Sequence, residues 1–215
     1  MSLASTVQTG IEPVWEARFE PNSYGFRPGR SCHDAIEAIF SSIHRNPKFV
    51  LDADIAKCFD RIDHEALLKK LNTSPTIRRQ IRAWLKAGVM DGKQMFPTSV
   101  SEAGARTRAT GTPQGGVISP LLANIALHGM EERINKAFPE MSQTMRETWY
   151  HKKGTKFVSP RCIRYTDDFV ILHKDITVVQ RCTEIISEWL IDMGLEYVPT
   201  AECTFESQMY WRLTT

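Results

Sequence analysis

Residues 162–172 read Cys-Ile-Arg-Tyr-Thr-Asp-Asp-Phe-Val-Ile-Leu, and the fold is decided there. Two short strand-like runs, Cys162–Tyr165 and Phe169–Leu172, flank Thr166-Asp167-Asp168, which predicts a β-hairpin with two acids at its tip. The flanks are apolar enough to be central strands. Adjacent like charges repel, so the dipeptide has two readings. It is a plain turn favoured by Asx hydrogen bonds, or its charge is neutralised by bound cations.

Upstream, Phe49-Val50-Leu51-Asp52-Ala53-Asp54-Ile55 reads as a buried strand with acids at its C-terminal end. Side chains alternate along a strand, so Asp52 and Asp54 share a face. Asp54, Asp167 and Asp168 together offer hard oxygen ligands. These suit magnesium, which keeps several waters and accepts substrate phosphates. Two such ions about 3.5–4 Å apart can activate a 3′-hydroxyl and stabilise departing pyrophosphate. The three carboxylates are therefore expected to converge.

The rest of the chain supplies the frame. Residues 1–30 are rich in turn formers and show no clear periodicity. Ser31 can cap a helix with Ile36, Ile39, Phe40 and Ile43 at helical spacing. Helices are expected at about 64–72 and 75–87, the second opened by Ser74-Pro75. Residues 89–110 read as a hairpin. The loop Gly111-Thr112-Pro113-Gln114-Gly115-Gly116 leads into one apolar helix from about 119 to 137. Residues 139–159 read as a polar surface insertion, 176–193 as a helix ending at Gly194, and the chain from Leu195 as strand-like at first. The order β–α–α–β–β–α–β–β–α is not the alternation of a doubly wound sheet. It predicts an α+β palm: an antiparallel sheet with helices packed on one face.

Composition sets wider bounds. The chain has 215 residues, 42% apolar and 24% charged, which excludes a largely disordered protein. A net charge of +2 does not by itself demand a nucleic-acid partner. Two basic runs, Arg78/Arg79/Arg82/Lys86 and Lys152/Lys153/Lys156/Arg161/Arg164, read on charge alone as solvated faces. Five cysteines without a Cys-x-x-Cys pair speak for buried thiols in a reducing cytoplasm. No signal pattern or membrane-length apolar run is present, so no membrane partner is expected and the cytoplasm is the expected location.

Four motifs in order resemble one family, the group II intron-encoded reverse transcriptases and maturases. Tyr165-Thr166-Asp167-Asp168 resembles the Tyr-x-Asp-Asp box, and Asp54-Ile55-Ala56-Lys57-Cys58-Phe59-Asp60 the first aspartate motif. Thr112-Pro113-Gln114-Gly115-Gly116-Val117-Ile118-Ser119-Pro120-Leu121-Leu122-Ala123-Asn124-Ile125 resembles the nucleotide-pocket motif. Asn22-Ser23-Tyr24-Gly25-Phe26-Arg27-Pro28-Gly29-Arg30-Ser31 resembles the block preceding the catalytic strand. The resemblance implies an RNA-directed DNA polymerase palm with partial fingers, using two Mg2+ ions, or Mn2+ in their place. By the same resemblance, Asp54, Asp167 and Asp168 are the metal-binding catalytic carboxylates, and the backbone at Ile55 lies against metal and triphosphate. Phe59 matches a steric gate that excludes a 2′-hydroxyl. Gln114 and Gly115 line the incoming nucleotide. Arg27 and Arg30 either contact nucleic acid or pair within the fold. The implied partners are an RNA template (the intron RNA), a DNA or RNA primer and a dNTP, with a complementing subunit or dimer as a further expectation.

Against the family pattern, residues 1–30 read as a remnant of the fingers and the segment entering the palm, 31–196 as the palm with partial fingers, and 197–215 as a divergent tail. The thumb is absent from the sequence given, and the lysine expected near residue 200 is missing. A second reading follows: a catalytically inactive RNA-binding remnant of such a protein. A third, another two-metal palm enzyme such as a nucleotide cyclase, has no need of Gln114 or of a sugar gate at Phe59.

Overall fold

The computed structural model describes residues 2–44, 46–87, 89–91, 94–96, 100–103, 106–109, 111–112, 116–138 and 159–203, without side-chain detail for 89–109 and 200–203. Four strands form the central sheet: β1 (Phe49–Ile55), β6 (Arg161–Tyr165), β7 (Asp168–His173) and β8 (Tyr197–Cys203). Their order is β6-β7-β1-β8 and every pairing is antiparallel. This is the expected α+β palm. β2 (Val89–Asp91) with β3 (Gln94–Phe96), and β4 (Val100–Ala103) with β5 (Arg106–Ala109), form two small hairpins where one was expected.

The alternation of β1 sorts the two faces. Leu51, Ala53 and Ile55 are buried, and join Phe169, Ile171 and Cys162 in the main core. Helices cover that face: α4 (His64–Leu71), α5 (Pro75–Lys86), α6 (Ser119–Leu127), a following helix α7 (130–138) and α8 (Ile176–Ile191). One helix departs from the expected one-sided packing. α2 (Cys32–Ile43) lies on the opposite face, where Ala35 and Ala38 meet Tyr24, Ile163 and Leu172. Its start is fixed by a capping box between Ser31 and Asp34. The acid-bearing face is thus covered at one end and open at the end that carries Asp54 and Asp168.

Two expectations need correction. The N-terminal region holds a helix, α1 (Leu3–Glu16), capped by Ser2. Its signal was a single i, i+4, i+8 row, Val7, Ile11 and Trp15, which packs on the core despite Pro13 inside the helix. The long helix from 119 is two helices. Gly129, at φ 96°, follows the extended His128, and this left-handed position after the C-cap breaks the run. Lys70 Nζ donates to the Ala126 carbonyl at 2.7 Å and caps that break. Residues 197–203, in the stretch expected to be strand-like at first, form the edge strand of the palm sheet, with Pro199 tolerated there and a register shift opposite Asp52/Ala53. Among the described residues, no helix is long and apolar enough to cross a membrane.

Candidate active site

Register brings the acids together. Asp54 on β1 is the direct partner of Asp168 on β7, so the two side chains leave the same face of the sheet. Directly opposed residues have Cβ atoms about 4.5–5.5 Å apart. Asp167 sits in the two-residue turn between β6 and β7, and its carbonyl accepts from the Ile55 amide at 3.2 Å. That bond ties the hairpin tip to the end of β1. Asp52 lies two residues back from Asp54, opposite Val170.

The electrostatics carry the same geometry. Burial and the neighbouring charge of Asp167 raise the pKa of Asp54 above its ordinary value. Burial, then the charges of Asp167, Asp54 and Asp52, do so for Asp168. A carboxylate whose pKa is raised on folding penalises the fold at neutral pH, and the penalty fades as pH falls through the raised value toward 3.8. Asp168→Asn is therefore expected to raise stability at pH 7, by no more than about 1 kcal/mol because the site is solvent-screened. The gain over wild type should vanish below about pH 4. Thermal melts of both proteins at pH 7 and pH 4 check this; an Asn variant less stable at pH 7 contradicts it.

The turn itself is unusual. Thr166 has φ 58°, the left-handed region, which is uncommon for a β-branched residue. Its hydroxyl bonds the Tyr165 carbonyl (2.6 Å) and Asp167 Oδ1 (2.7 Å). Gly25 presses against it: a Cβ on Gly25 would lie 2.3 Å from Thr166 Cγ2 and 2.5 Å from Thr166 N.

Phe59 is half-buried in α3 (Cys58–Arg61), packed against the core and edge-on to Phe26, with ring centroids 6.4 Å apart. Phe26 is 55% exposed at φ 54°. The loop approaching the nucleotide-pocket motif is pinned to the same short helix. Thr112 N donates to the Phe59 carbonyl at 2.5 Å, and Gly111 N donates to that of Ile62 at 3.0 Å. His64 Nε2 donates to the Gly111 carbonyl. Gly111 has φ 95°, and a Cβ there would sit 2.9 Å from the Asp60 carbonyl oxygen, so only glycine suits the position. Gln114 and Gly115 lie outside the described residues.

The two arginines separate. Arg27 is buried, with two nitrogens on the Glu16 carboxylate and Nη1 on the carbonyls of Glu20 and Ser23. This is the fold-internal pairing. Arg30 is half-exposed, over the Tyr24 ring and bonded to the Pro21 carbonyl. Arg164, grouped by sequence with a solvated basic run, is 3% exposed. Its partner Phe169 faces the core, so Arg164 does too. Sequence reasoning missed it together with Asn124 and Gly25. The available signal was a charged residue on the core-facing parity of a sheet strand. Of the thiols, Cys58, Cys162 and Cys182 are buried as expected, whereas Cys32 is exposed.

A central antiparallel sheet with an acidic strand end beside an acid-tipped hairpin is the palm architecture of template-directed polymerases. The chain belongs to the reverse transcriptase (RNA-dependent DNA polymerase) family, whose profile matches residues 2–206. It is 29% identical over 215 residues to the group II intron-encoded protein LtrA of Lactococcus lactis subsp. cremoris, covering 95% of this chain and 31% of that protein. It is 30% identical over 188 residues to protein YkfC of Escherichia coli K12, covering 76% of this chain and 45% of that one. The chain thus spans just under a third to just under a half of the length of these relatives. Among solved structures it is similar in fold to telomerase from Candida tropicalis, with a TM-score of 0.55 at 13% identity over 91% of this chain and 32% of that one. Reverse transcriptases as a family use divalent metal ions.

Proposed function

We propose that this chain is the palm of a group II intron-type reverse transcriptase, and that Asp54, Asp167 and Asp168 hold two Mg2+ ions, or Mn2+ in their place. The observation that carries the reading is the register pairing of Asp54 with Asp168 next to the Asp167 turn. Three carboxylates crowded at one sheet end, two with raised pKa, suit a cation that would relieve their repulsion. Among the described residues no three His, Cys, Asp or Glu side chains form a ready cage. An ion here would complete its shell with water and substrate phosphate, the habit of magnesium. When bound, the ions supply activation of a primer 3′-hydroxyl and neutralisation of the departing pyrophosphate.

The chain's own residues hold and select the substrate. Ile55 contributes main chain to this corner, its side chain being buried. Phe59 forms the floor under the sugar, with Phe26 against its edge. Gln114 and Gly115, by their match to the nucleotide-pocket motif, are proposed to line the incoming nucleotide. Arg30 is the better placed of the two arginines to meet nucleic acid. The substrates in this reading are an RNA template, intron RNA among them, a DNA or RNA primer and a dNTP.

The test is extension of a DNA primer on an RNA template with Mg2+. Template binding without synthesis would favour the RNA-binding remnant instead. Within the same assay, Phe59→Ala should relax sugar selection and lower dNTP-over-rNTP discrimination by about 10- to 100-fold, the scale of one steric contact. Unchanged discrimination would remove Phe59 from the gate role.

A further inference from the structure

We propose that Arg164, acting with Asn124 and Gly25, is a positioning residue that clamps Thr166 in its left-handed conformation and so presents Asp167 to the metal site; the inference rests on the carboxylate reading above. The hairpin needs such a device. Thr166 immediately precedes Asp167, and a threonine at φ 58° would relax if free to do so. Relaxation there rotates the peptide that leads into Asp167.

Thr166 is gripped on both sides. Arg164 Nη1 donates to the Thr166 carbonyl at 2.7 Å and to Asn124 Oδ1 at 3.0 Å, and Nη2 donates to Ser23 Oγ at 2.7 Å. Asn124 Nδ2 in turn donates to the Gly25 carbonyl at 2.8 Å. That fixes the glycine whose missing Cβ makes room for the Thr166 amide. Main-chain bonds from Arg164 N to the Asn22 carbonyl and from Tyr24 N to the Arg164 carbonyl, both 2.9 Å, lock the 22–25 segment beside β6. Arg27, held by Glu16, anchors the same segment to α1 through Ser23 and Glu20.

The choice of arginine points to the same role. Among the described residues its side-chain hydrogen-bond partners are all neutral, and its Nε has none, although the residue is 3% exposed. A buried charge without a bonded carboxylate is costly, so packing does not explain it. A planar fork reaching three acceptors at once does, and lysine lacks that fork.

The Ile55 amide, bonded to the Asp167 carbonyl at 3.2 Å, reports on the turn, whereas the amides of Leu51 and Ala53 report on the sheet. Hydrogen exchange is measured on the full chain without metal. Arg164→Met should speed exchange at Ile55 at least ~10-fold more than at Leu51 and Ala53, and Arg164→Lys should not restore it. Adding Thr166→Gly to Arg164→Met should bring Ile55 back to within about 3-fold of wild type, because glycine adopts positive φ freely. If Arg164→Met does not fold, Asn124→Ala provides the same comparison. Equal acceleration at all three amides, no acceleration, or no rescue by Thr166→Gly overturns the clamp. Calorimetric titration with Mn2+ alone should show affinity lowered about 10-fold in Arg164→Met and recovered in the double variant, a 10-fold change being 1.36 kcal/mol. A wild-type chain that binds no Mn2+ counts against the metal reading alone, and the exchange comparison still decides the clamp.

Discussion

Asp167→Ala is expected to lower primer extension by about a thousand-fold or more while leaving the protein folded and no less stable. The two halves of this expectation have separate causes. On the proposed metal site, loss of a carboxylate that would be shared between two ions removes transition-state charge stabilisation of several kcal/mol, and about 4 kcal/mol corresponds to a thousand-fold in rate. The fold loses little, because the tie between the turn and β1 runs through the Asp167 carbonyl and not its side chain. The hydrogen bond from the Thr166 hydroxyl to Asp167 Oδ1 is lost, but that hydroxyl keeps the Tyr165 carbonyl. Against that small loss stands relief of repulsion, since the Asp167 charge raises the pKa of both Asp54 and Asp168. Primer extension and thermal melting on the same preparations test both halves. Activity within tenfold of wild type would mean that Asp167 is not a metal ligand. A collapsed melting temperature would mean that the acids serve the fold.

The sheet and its acids were legible for a physical reason. Apolar alternation in β1 and the tight turn after Tyr165 are local patterns, and local patterns fix which face a residue occupies. Once two strands are antiparallel neighbours, the pairing of Asp54 with Asp168 follows from register alone. What escaped was decided by distant partners. α1 carried a single i, i+4 row, Leu3, Val7, Ile11 and Trp15, among Ser, Thr, Gly and Pro that propensity counts against a helix. The break at His128-Gly129 hid inside an apolar run, and the Lys70 side chain that caps it comes from another helix, 56 residues upstream of Ala126. Arg164 misled in the opposite way. Its charge placed it on the surface, but its solvation is replaced by Asn124, Ser23 and the Thr166 carbonyl, contacts that span up to 141 residues of sequence. Buried polar networks of this kind are invisible to periodicity, because every member looks like a surface residue until its partners are known.

Gly25→Ala should be the most disruptive single methyl in the described part of the molecule. The added Cβ would meet two atoms of Thr166, and they yield differently. Cγ2, at 2.3 Å, could swing away by rotating χ1, but the same rotation would break the hydroxyl's bonds to the Tyr165 carbonyl and Asp167 Oδ1. The Thr166 nitrogen, at 2.5 Å, is backbone and moves only if the turn moves. Overpacking of this kind costs about 1–3 kcal/mol. In a chain of this size that lowers the melting temperature by roughly 2–12 °C. Because the yielding element is the turn that carries Asp167, primer extension should fall further than the unfolded fraction explains. Thr166→Gly removes the first contact and not the second, so it should recover part of the loss and not all. Gly10→Ala makes the matching control: it lies within α1 with no atom within 4 Å of its added Cβ, and alanine there should stabilise by about 0.5–1 kcal/mol. A Gly25→Ala protein that melts within 1 °C of wild type and extends primers normally would show that the 22–25 segment moves freely beside the hairpin. The turn that carries Asp167 would then owe nothing to the segment that touches it.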